Sequence, residues 1–467
     1  MAKRKFPKFE NLEIHDISSD GKAVGRHENQ VVFVSGLVPG DVADVQVIKK
    51  KKRFFYAVPV AIHHYSGLRT EPFCDHFSSC GGCKWQNLAY QDQLRFKEKQ
   101  VVDQLTRLGE MEIPDVNPII GSENTRYYRN KLEYSFSDKR WLEKSEIESD
   151  KEINDNGALG FHAPGRFDKV LQVDKCYLQA EPTNAIRNAV HDFSLNNQLS
   201  YYNPKTHEGL MRNLMIRITE KGEVMVVVIA SDFNDDLENL LQHLETSFPE
   251  IDSLMYVVNK KWNDSIYDLE AHPYSGRNYI TENIDGLDFK IGPKSFFQTN
   301  TKQTEVLYSK VKQAAGLTGS EIVYDLYSGT GSISLYLARE AKKVVGVEVV
   351  SEAVENANIN AEINGISNVE FVTGDMKDVM KPGFVKSHGR PDVIVLDPPR
   401  AGVHKDVIEV IRKTAPDKIV YVSCNPATQA RDISTLKDSY RIVEVQPVDM
   451  FPHTHHMENL ILLEKIQ

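Results

Sequence analysis

From about residue 293 onward, short apolar runs alternate with helix-like segments, and this alternation limits the fold more than any other feature of the chain. The runs are EIVYDLY, KVVGVEV, NVEFVTG, DVIVLDPP and KIVYVSC, and helix-like segments starting at Gly331, Ser351, Val403 and Pro426 separate most of them. Such a βαβα pattern predicts a parallel, doubly wound sheet. Two further strands are expected near 441–449 and 459–465.

The ends of these runs carry chemistry. YDLYSGTGSISLYLA (324–338) places an acid at a strand end and then a Gly-rich turn into a helix, where glycine lets the backbone approach a ligand. Glu348 ends the next run, where a carboxylate can bind two ribose hydroxyls. Asp375 follows the third run and Asp397 ends the fourth. Any one of these acids could be a solvated loop carboxylate. Together they mark the carboxyl edge, where open α/β sheets bind ligands. At the same edge KIVYV stops at Ser423-Cys424-Asn425-Pro426, which puts a cysteine at a strand tip ahead of a possible helix start. A buried structural thiol is the ordinary alternative.

The rest of the chain reads differently. Its 467 residues predict two or three domains. Residues 1 to about 65 contain the β-like runs QVVFVSG, DVADVQVIK and RFFYAVPVAIHHY, consistent with a small basic β-barrel. Residues 87–109 have helical spacing, with Asn87 as an expected start cap and Gly109 at the end. From 120 to about 290 an α+β segment is expected, with strand-like runs NKLEYSFS, ALGFHA, LMIRITEKGEVMVVVIAS, SLMYVVN and LDFKIGPKSFFQTN, and with a charged surface loop at 143–157. Residues 1–100 hold 16 Lys and Arg against 11 Asp and Glu, a net of +5 in a chain of net −10, so the remainder carries −15. KKKKR at 49–53 followed by RFFY suits a nucleic-acid surface, where cations meet phosphate and rings stack on bases. A hairpin edge guarded by lysines fits equally. The basic start lacks an apolar segment, and no apolar run approaches the ~20 residues that cross a bilayer. A soluble cytoplasmic protein, with no membrane partner, is therefore expected.

Only five cysteines occur, too few and too odd a set for a disulfide framework. Cys74, Cys80 and Cys83 form C-x5-C-x2-C, and Cys176 lies downstream. Four thiolates suit zinc or an iron–sulfur cluster, and spacing does not choose between them.

DLYSGTGSISL, VVGVEVV and DPPRAGV resemble the S-adenosylmethionine methyltransferase fold. SFFQTN, DPPRAGV, YVSCNP and HTHHMENL together resemble the RNA uracil-5-methyltransferases, with Ser328 where many relatives have cysteine. The resemblance runs from residue 74 to 459, and GKAVGRHENQVVFVSGLVPGDV is similar to the TRAM RNA-binding barrel of some members. It implies a TRAM barrel, OB-like, over 1–66, a central α+β domain with a cluster-binding loop over 67–290, and a Rossmann-like methyltransferase domain over 291–467, with helix 87–109 packing on the last. It implies Cys424 as nucleophile and Glu458 as general base. S-adenosylmethionine contacts fall to Gln298, Tyr327, Ser332, Glu348, Asp375 and Asp397. Asp397 and Gln298 are also implied near the uracil, and Phe296 is a candidate for stacking on it, with plain packing as the alternative. Members with such a cysteine loop carry a [4Fe-4S] cluster, here on Cys74, Cys80, Cys83 and Cys176, which leaves Cys424 as the one free thiol. Barrel and cluster together point to a 23S ribosomal RNA loop as partner, and a monomer is expected. A different or second ribosomal uridine, or transfer RNA, is the nearest alternative. A non-catalytic RNA-binding iron–sulfur protein would need neither Cys424 nor Glu458, and an N- or O-directed methyltransferase has no use for a protein thiol.

Overall fold

The computed structural model describes residues 6–148 and 156–466. Lys8–Ile17 (β1), Ala23–His27 (β2), Gln30–Val34 (β3), Val42–Lys50 (β4) and Phe54–His64 (β5) close into a barrel in the order β1-β2-β3-β5-β4. Inward Leu12, Ile14, Val32, Val34, Val45 and Phe55 fill it, and closure removes the free edges. The sequence shows β3 to β5 but hides β1 and β2, the first because KFENLEIHDI has few apolar positions and the second because AVGRH is short and contains glycine. KKKKR is the end of β4 and the β4–β5 turn. Asp41, fully buried, seals the barrel exit: its carboxylate accepts from the N–H groups of Val38 (2.7 Å) and Ser66 (3.0 Å) and from Arg69 Nη2 (2.6 Å).

Helix α1 covers Tyr90–Leu108 and starts later than the spacing suggested. Asn87 does not cap it; its amide donates to Gly36 O (3.1 Å), and Ala89 precedes the first turn instead. Val101 and Leu105 of α1 are buried in the core of the C-terminal sheet.

The central sheet runs β12-β11-β10-β9-β6-β7-β8. Its strands are Lys131–Ser137 (β6), Ala158–His162 (β7), Val170–Gln172 (β8), Met211–Ile218 (β9), Val224–Ala230 (β10), Ile251–Val258 (β11) and Ala271–Gly276 (β12). Helices Thr183–Asn196 (α3) and Asp235–Ser247 (α4) cover one face. The run LMIRITEKGEVMVVVIAS is two strands, because the chain turns where Gly222 N–H donates to Thr219 O. Within the charged stretch 143–157 lies a single turn, Lys144–Ile147 (α2); residues 149–155 fall outside the described residues. A separate hairpin pairs Ile280–Ile284 (β13) with Leu287–Ile291 (β14). The expected fifth strand thus ends at Ile291, since Pro293 has no N–H to offer a ladder, and 292–300 is a loop leading to Thr301–Ala315 (α5), which Asn300 caps through Gln303 N–H.

The C-terminal sheet has the order β17-β16-β15-β18-β19-β21-β20. Ile322–Leu326 (β15), Ser332–Ala338 (α6), Lys343–Glu348 (β16), Ser351–Ile363 (α7), Val369–Thr373 (β17), Met376–Val379 (α8), Pro382–His388 (α9), Val393–Leu396 (β18), Lys405–Thr414 (α10), Lys418–Ser423 (β19), Pro426–Ser434 (α11), Tyr440–Val448 (β20) and Glu458–Lys465 (β21) follow one another. The first five strands in the sheet order are parallel, and β21 pairs antiparallel with both β19 and β20. Strand alternation separates two cores. Val323, Val395 and Val420 face α5, α6 and α7, whereas Tyr324, Leu396 and Tyr421 face α1, α8, α10 and α11. The first core continues through the β13–β14 hairpin to Met225, Val227 and Met255 of the central sheet, so the two sheets share packing. Successive strands diverge between β15 and β18, which opens a crevice at their carboxyl ends. Among the described residues no helix is long and apolar enough to cross a membrane.

Candidate active site

The Gly-rich turn after β15 is held in a fixed shape. Tyr327 adopts φ 73°, an unusual region for a residue with a side chain, and its N–H donates to Val347 O (3.0 Å). Gly331 (φ 82°) sits where a Cβ would lie 2.6 Å from the Phe371 ring, so only glycine fits there. At Gly329 a Cβ would meet no protein atom within 4 Å, so the turn borders open space on that side. The Glu348 carboxylate accepts from the N–H groups of Gly329 (3.1 Å), Val349 (2.8 Å) and Val350 (2.9 Å), which fixes it at the β16 tip beside that space. Ser332 opens α6, and its hydroxyl pairs with the buried Tyr308 hydroxyl (2.7 Å). Asp375 caps α8 and pairs with Lys377 (3.1 Å). Gln298 is buried in the 292–300 loop, whose carbonyls are tied to the central domain by Asn130 Nδ2 (2.9 Å) and Arg217 Nη2 (2.6 Å). In the same loop Phe297 is buried, but Phe296 is 67% exposed, which does not fit plain packing.

Cys424 follows β19, and Asn425 caps α11 by accepting from Ala427 N–H (3.2 Å). The Asn425 and Thr428 side chains both hold Arg400 O, bringing the DPPR loop beside the thiol. Cys424 lines a cavity of about 230 Å³ together with Arg400, His455, His456 and Met457, with Gln100 and Gln104 of α1, and with Ser19 of the barrel. Burial and then the Glu458 charge push the thiol up to about 11, and Arg400 acts in the opposite direction. The helix start expected to favour the thiolate is present, yet burial outweighs it in this state. Glu458, at the first position of β21, is 4% exposed, and its Oε2 has no hydrogen-bond partner. Burial and then the nearby Asp397 push its carboxyl well above the usual range. Burial and then Asp325 likewise push Asp397 up. Asp397, Glu458 and Cys424 therefore form one electrostatically linked group at the carboxyl edge, with Arg400 as its cation.

The loop that delivers Glu458 is anchored from elsewhere in the chain. Lys97 of α1 binds Asp449 (2.6 Å), both fully buried, and donates to Phe451 O (3.1 Å). His453 O accepts from Lys84 and Trp85 N–H (2.9 and 3.1 Å), and Tyr128 OH donates to Pro452 O (3.1 Å). Sequence reading missed Arg400, the two histidines, Gln100, Gln104 and Ser19. Arg400 and the two histidines lay inside the quoted motifs DPPRAGV and HTHHMENL, but polar residues on α1 and in a barrel loop carry no signal of a shared cavity.

Cys74, Cys80, Cys83 and Cys176 line one cavity of about 80 Å³ between the cysteine loop and the central sheet. Among the described residues no three His, Cys, Asp or Glu side chains are drawn together closely enough to hold a metal ion. Four cysteines around a common cavity form a donor set of the kind that takes zinc or an iron–sulfur cluster.

Residues 274–466 match the family profile described as tRNA (uracil-5-)-methyltransferase, and residues 10–60 match the TRAM domain. An uncharacterized RNA methyltransferase of Bacteroides thetaiotaomicron is 51% identical over 452 residues, covering 96% of this chain and 100% of that one. One of Chlorobaculum tepidum is 42% identical, covering 98% and 96%. Among solved structures, the Pyrococcus abyssi tRNA (uracil-54, C5)-methyltransferase in complex with S-adenosyl-L-homocysteine superposes with a TM-score of 0.75 at 29% identity, covering 97% of this chain and 99% of that one.

Proposed function

The chain belongs to the RNA (uracil-5-)-methyltransferases that carry a TRAM domain, and we propose that it methylates carbon 5 of a specific uridine in 23S ribosomal RNA through a covalent Cys424–uracil adduct. Cys424 and Arg400 line one cavity that α1 and the barrel also reach, and Glu458 and Asp397 lie close enough to act on the Cys424 thiol; that juxtaposition carries this reading. S-adenosylmethionine supplies the electrophilic methyl group. Glu348 is suited to accept from its ribose hydroxyls, and the remaining donor contacts are assigned to Gln298, Tyr327, Ser332, Asp375 and Asp397.

Carbon 5 of uracil is a poor nucleophile. The Cys424 thiolate adds to carbon 6, and the displaced electron pair gives carbon 5 enolate character, so that it can take the methyl group. Glu458 then removes the proton from carbon 5, and the returning pair expels Sγ. The Sγ–C6 bond forms and breaks, the donor's S–CH3 bond breaks as the C5–CH3 bond forms, S-adenosylhomocysteine leaves as the neutral thioether, and one proton passes from carbon 5 to Glu458. A carboxyl raised by burial suits that task near neutral pH. RNA carrying 5-fluorouracil should trap the adduct, because fluorine cannot leave as a cation. An equally stable adduct with Cys424→Ala would refute the assignment.

Methylation of transfer RNA is a second reading, favoured by the likeness to the P. abyssi enzyme. Mass-spectrometric mapping of 5-methyluridine in both RNAs, with and without the gene, separates the two.

The same proposal includes a [4Fe-4S] cluster on Cys74, Cys80, Cys83 and Cys176, supported by their shared cavity. Its place is structural: the adjoining Lys84 and Trp85 hold the loop that leads to Glu458. Iron and acid-labile sulfide should both be found in anaerobically purified protein, and zinc alone would overturn this part. We propose the domain limits given above on the same basis.

A further inference from the structure

Three consecutive residues join the cysteine cavity to two loops of the candidate active site. Tyr128 OH donates to Pro452 O (3.1 Å), on the segment that leads to Glu458. Asn130 donates through its N–H to Thr299 O (2.8 Å) and through Nδ2 to Gln298 O (2.9 Å), both in the 292–300 loop. Arg129, between them, touches both loops. Its Nη2 reaches Thr299 Oγ1 (3.4 Å), and its guanidinium lies 5.8 Å from the centre of the Phe451 ring. Arg129 also lines the cavity of Cys74, Cys80, Cys83 and Cys176. Its backbone N–H donates to Leu178 O (2.7 Å), close after Cys176 in the chain.

Among the described residues nothing neutralises this arginine. No carboxylate lies within ion-pair distance, the long bond to Thr299 is the one hydrogen bond of its side chain, and its buried Nε has no partner. A guanidinium in that state costs stability unless a ligand supplies the anion. Four thiolates carry more charge than the iron–sulfur core they would hold, so the loaded site stays negative. Lys175 is another cation on the cavity lining, but it is exposed and lies over the Tyr177 ring (4.9 Å). We propose that Arg129 is a positioning residue: the negative charge of the cysteine-held cluster fixes its guanidinium, and residues 128–130 carry that hold to the loops that present Gln298 and lead to Glu458. The inference rests on the proposed cluster and on the proposed RNA methylation.

The test compares Arg129→Gln, which removes the charge, with Arg129→Lys, which keeps it. Lys175→Gln is the control, since it removes an exposed charge from the same cavity. Anaerobically purified, cluster-loaded proteins are titrated for the midpoint potential and mixed with an iron chelator, with methylation kinetics alongside. Reduction adds negative charge to the cluster, so Arg129→Gln should lower the potential. It should also hasten iron release and lower kcat by about 10-fold. Lys175→Gln should change all three less, because water screens an exposed charge. Arg129→Lys should return the potential and the iron-release rate toward the wild type and recover part of kcat. Equal potentials and iron-release rates in Arg129→Gln and Lys175→Gln would overturn the proposal, as would Arg129→Lys behaving like Arg129→Gln, or a loss of kcat with potential and iron release unchanged. Wild-type protein that holds zinc or no metal fails the cluster reading first. Wild-type protein that holds the cluster but methylates neither 23S ribosomal nor transfer RNA fails the methylation reading, so the failures are distinguishable.

Discussion

Replacing Lys97 with methionine tests how the loop leading to Glu458 is held. The Lys97–Asp449 pair is 2.6 Å long with both side chains 0% exposed, and it joins α1 to the segment that leads to Glu458. Removing one partner of a buried ion pair typically costs about 3–5 kcal/mol, because the other charge is left uncompensated. Here Asp449 keeps two donors, Tyr90 OH (2.9 Å) and Phe451 N–H (3.0 Å), so the lower end, about 3 kcal/mol, is expected. For a cooperative unit of 150–250 residues that corresponds to a fall in the thermal midpoint of about 6–12 °C. Asp449→Asn alone should also destabilise, since Lys97 would then be the stranded charge. The double variant Lys97→Met/Asp449→Asn buries no charge and should be more stable than the sum of the single effects by more than about 1 kcal/mol. Calorimetry on the four proteins gives the coupling, and methylation at 25 °C reports whether a loosened 449–457 loop lowers kcat. Additivity within about 0.5 kcal/mol would show that the two charges do not support each other and would refute the argument.

Further predictions concern the site itself. Glu458 has a folded pKa raised above its unfolded value, so its contribution to stability is present at low pH and lost as pH rises through the folded pKa. Glu458→Gln does not titrate, so its thermal midpoint should gain on the wild type from about pH 4.5 upward, while adduct with normal RNA accumulates; a pH-independent difference would contradict this. Arg400 is the cation opposing the upward push on Cys424, so Arg400→Gln should move the pH dependence of fluorouracil adduct formation to higher pH, and an unshifted profile would remove Arg400 from that role. Gly331→Ala should lose about 1–3 kcal/mol of stability through strain at positive φ and the contact with Phe371. Gly329→Ala meets open space, so it should fold with smaller loss yet bind S-adenosylhomocysteine poorly in calorimetry. The reverse pattern would mean that the crevice lies elsewhere.

The parts of this molecule that were legible in the sequence are those where one local pattern decides the outcome. IVYV and VIVL are apolar at every position because the parallel sheet buries both of their faces, and the carboxyl edge where the acids cluster is the edge at which such a sheet binds ligands. The barrel's first strand escaped notice because most of KFENLEIHDI faces outward, and the start of α1 was misplaced because Asn87 found a tertiary partner in Gly36. The site was readable in the same uneven way. Cys424 and Glu458 stand in contiguous motifs. The polar side of the cavity is assembled from Ser19, Gln100 and Arg400, which only folding brings together. Electrostatics was least visible: a strand-tip cysteine before a helix start suggests an activated thiolate, yet burial beside Glu458 raises the thiol instead. On the proposed mechanism, the cationic methyl donor is the group whose arrival would favour the thiolate, since a positive charge near Asp397, Glu458 and Arg400 opposes the upward push on the thiol.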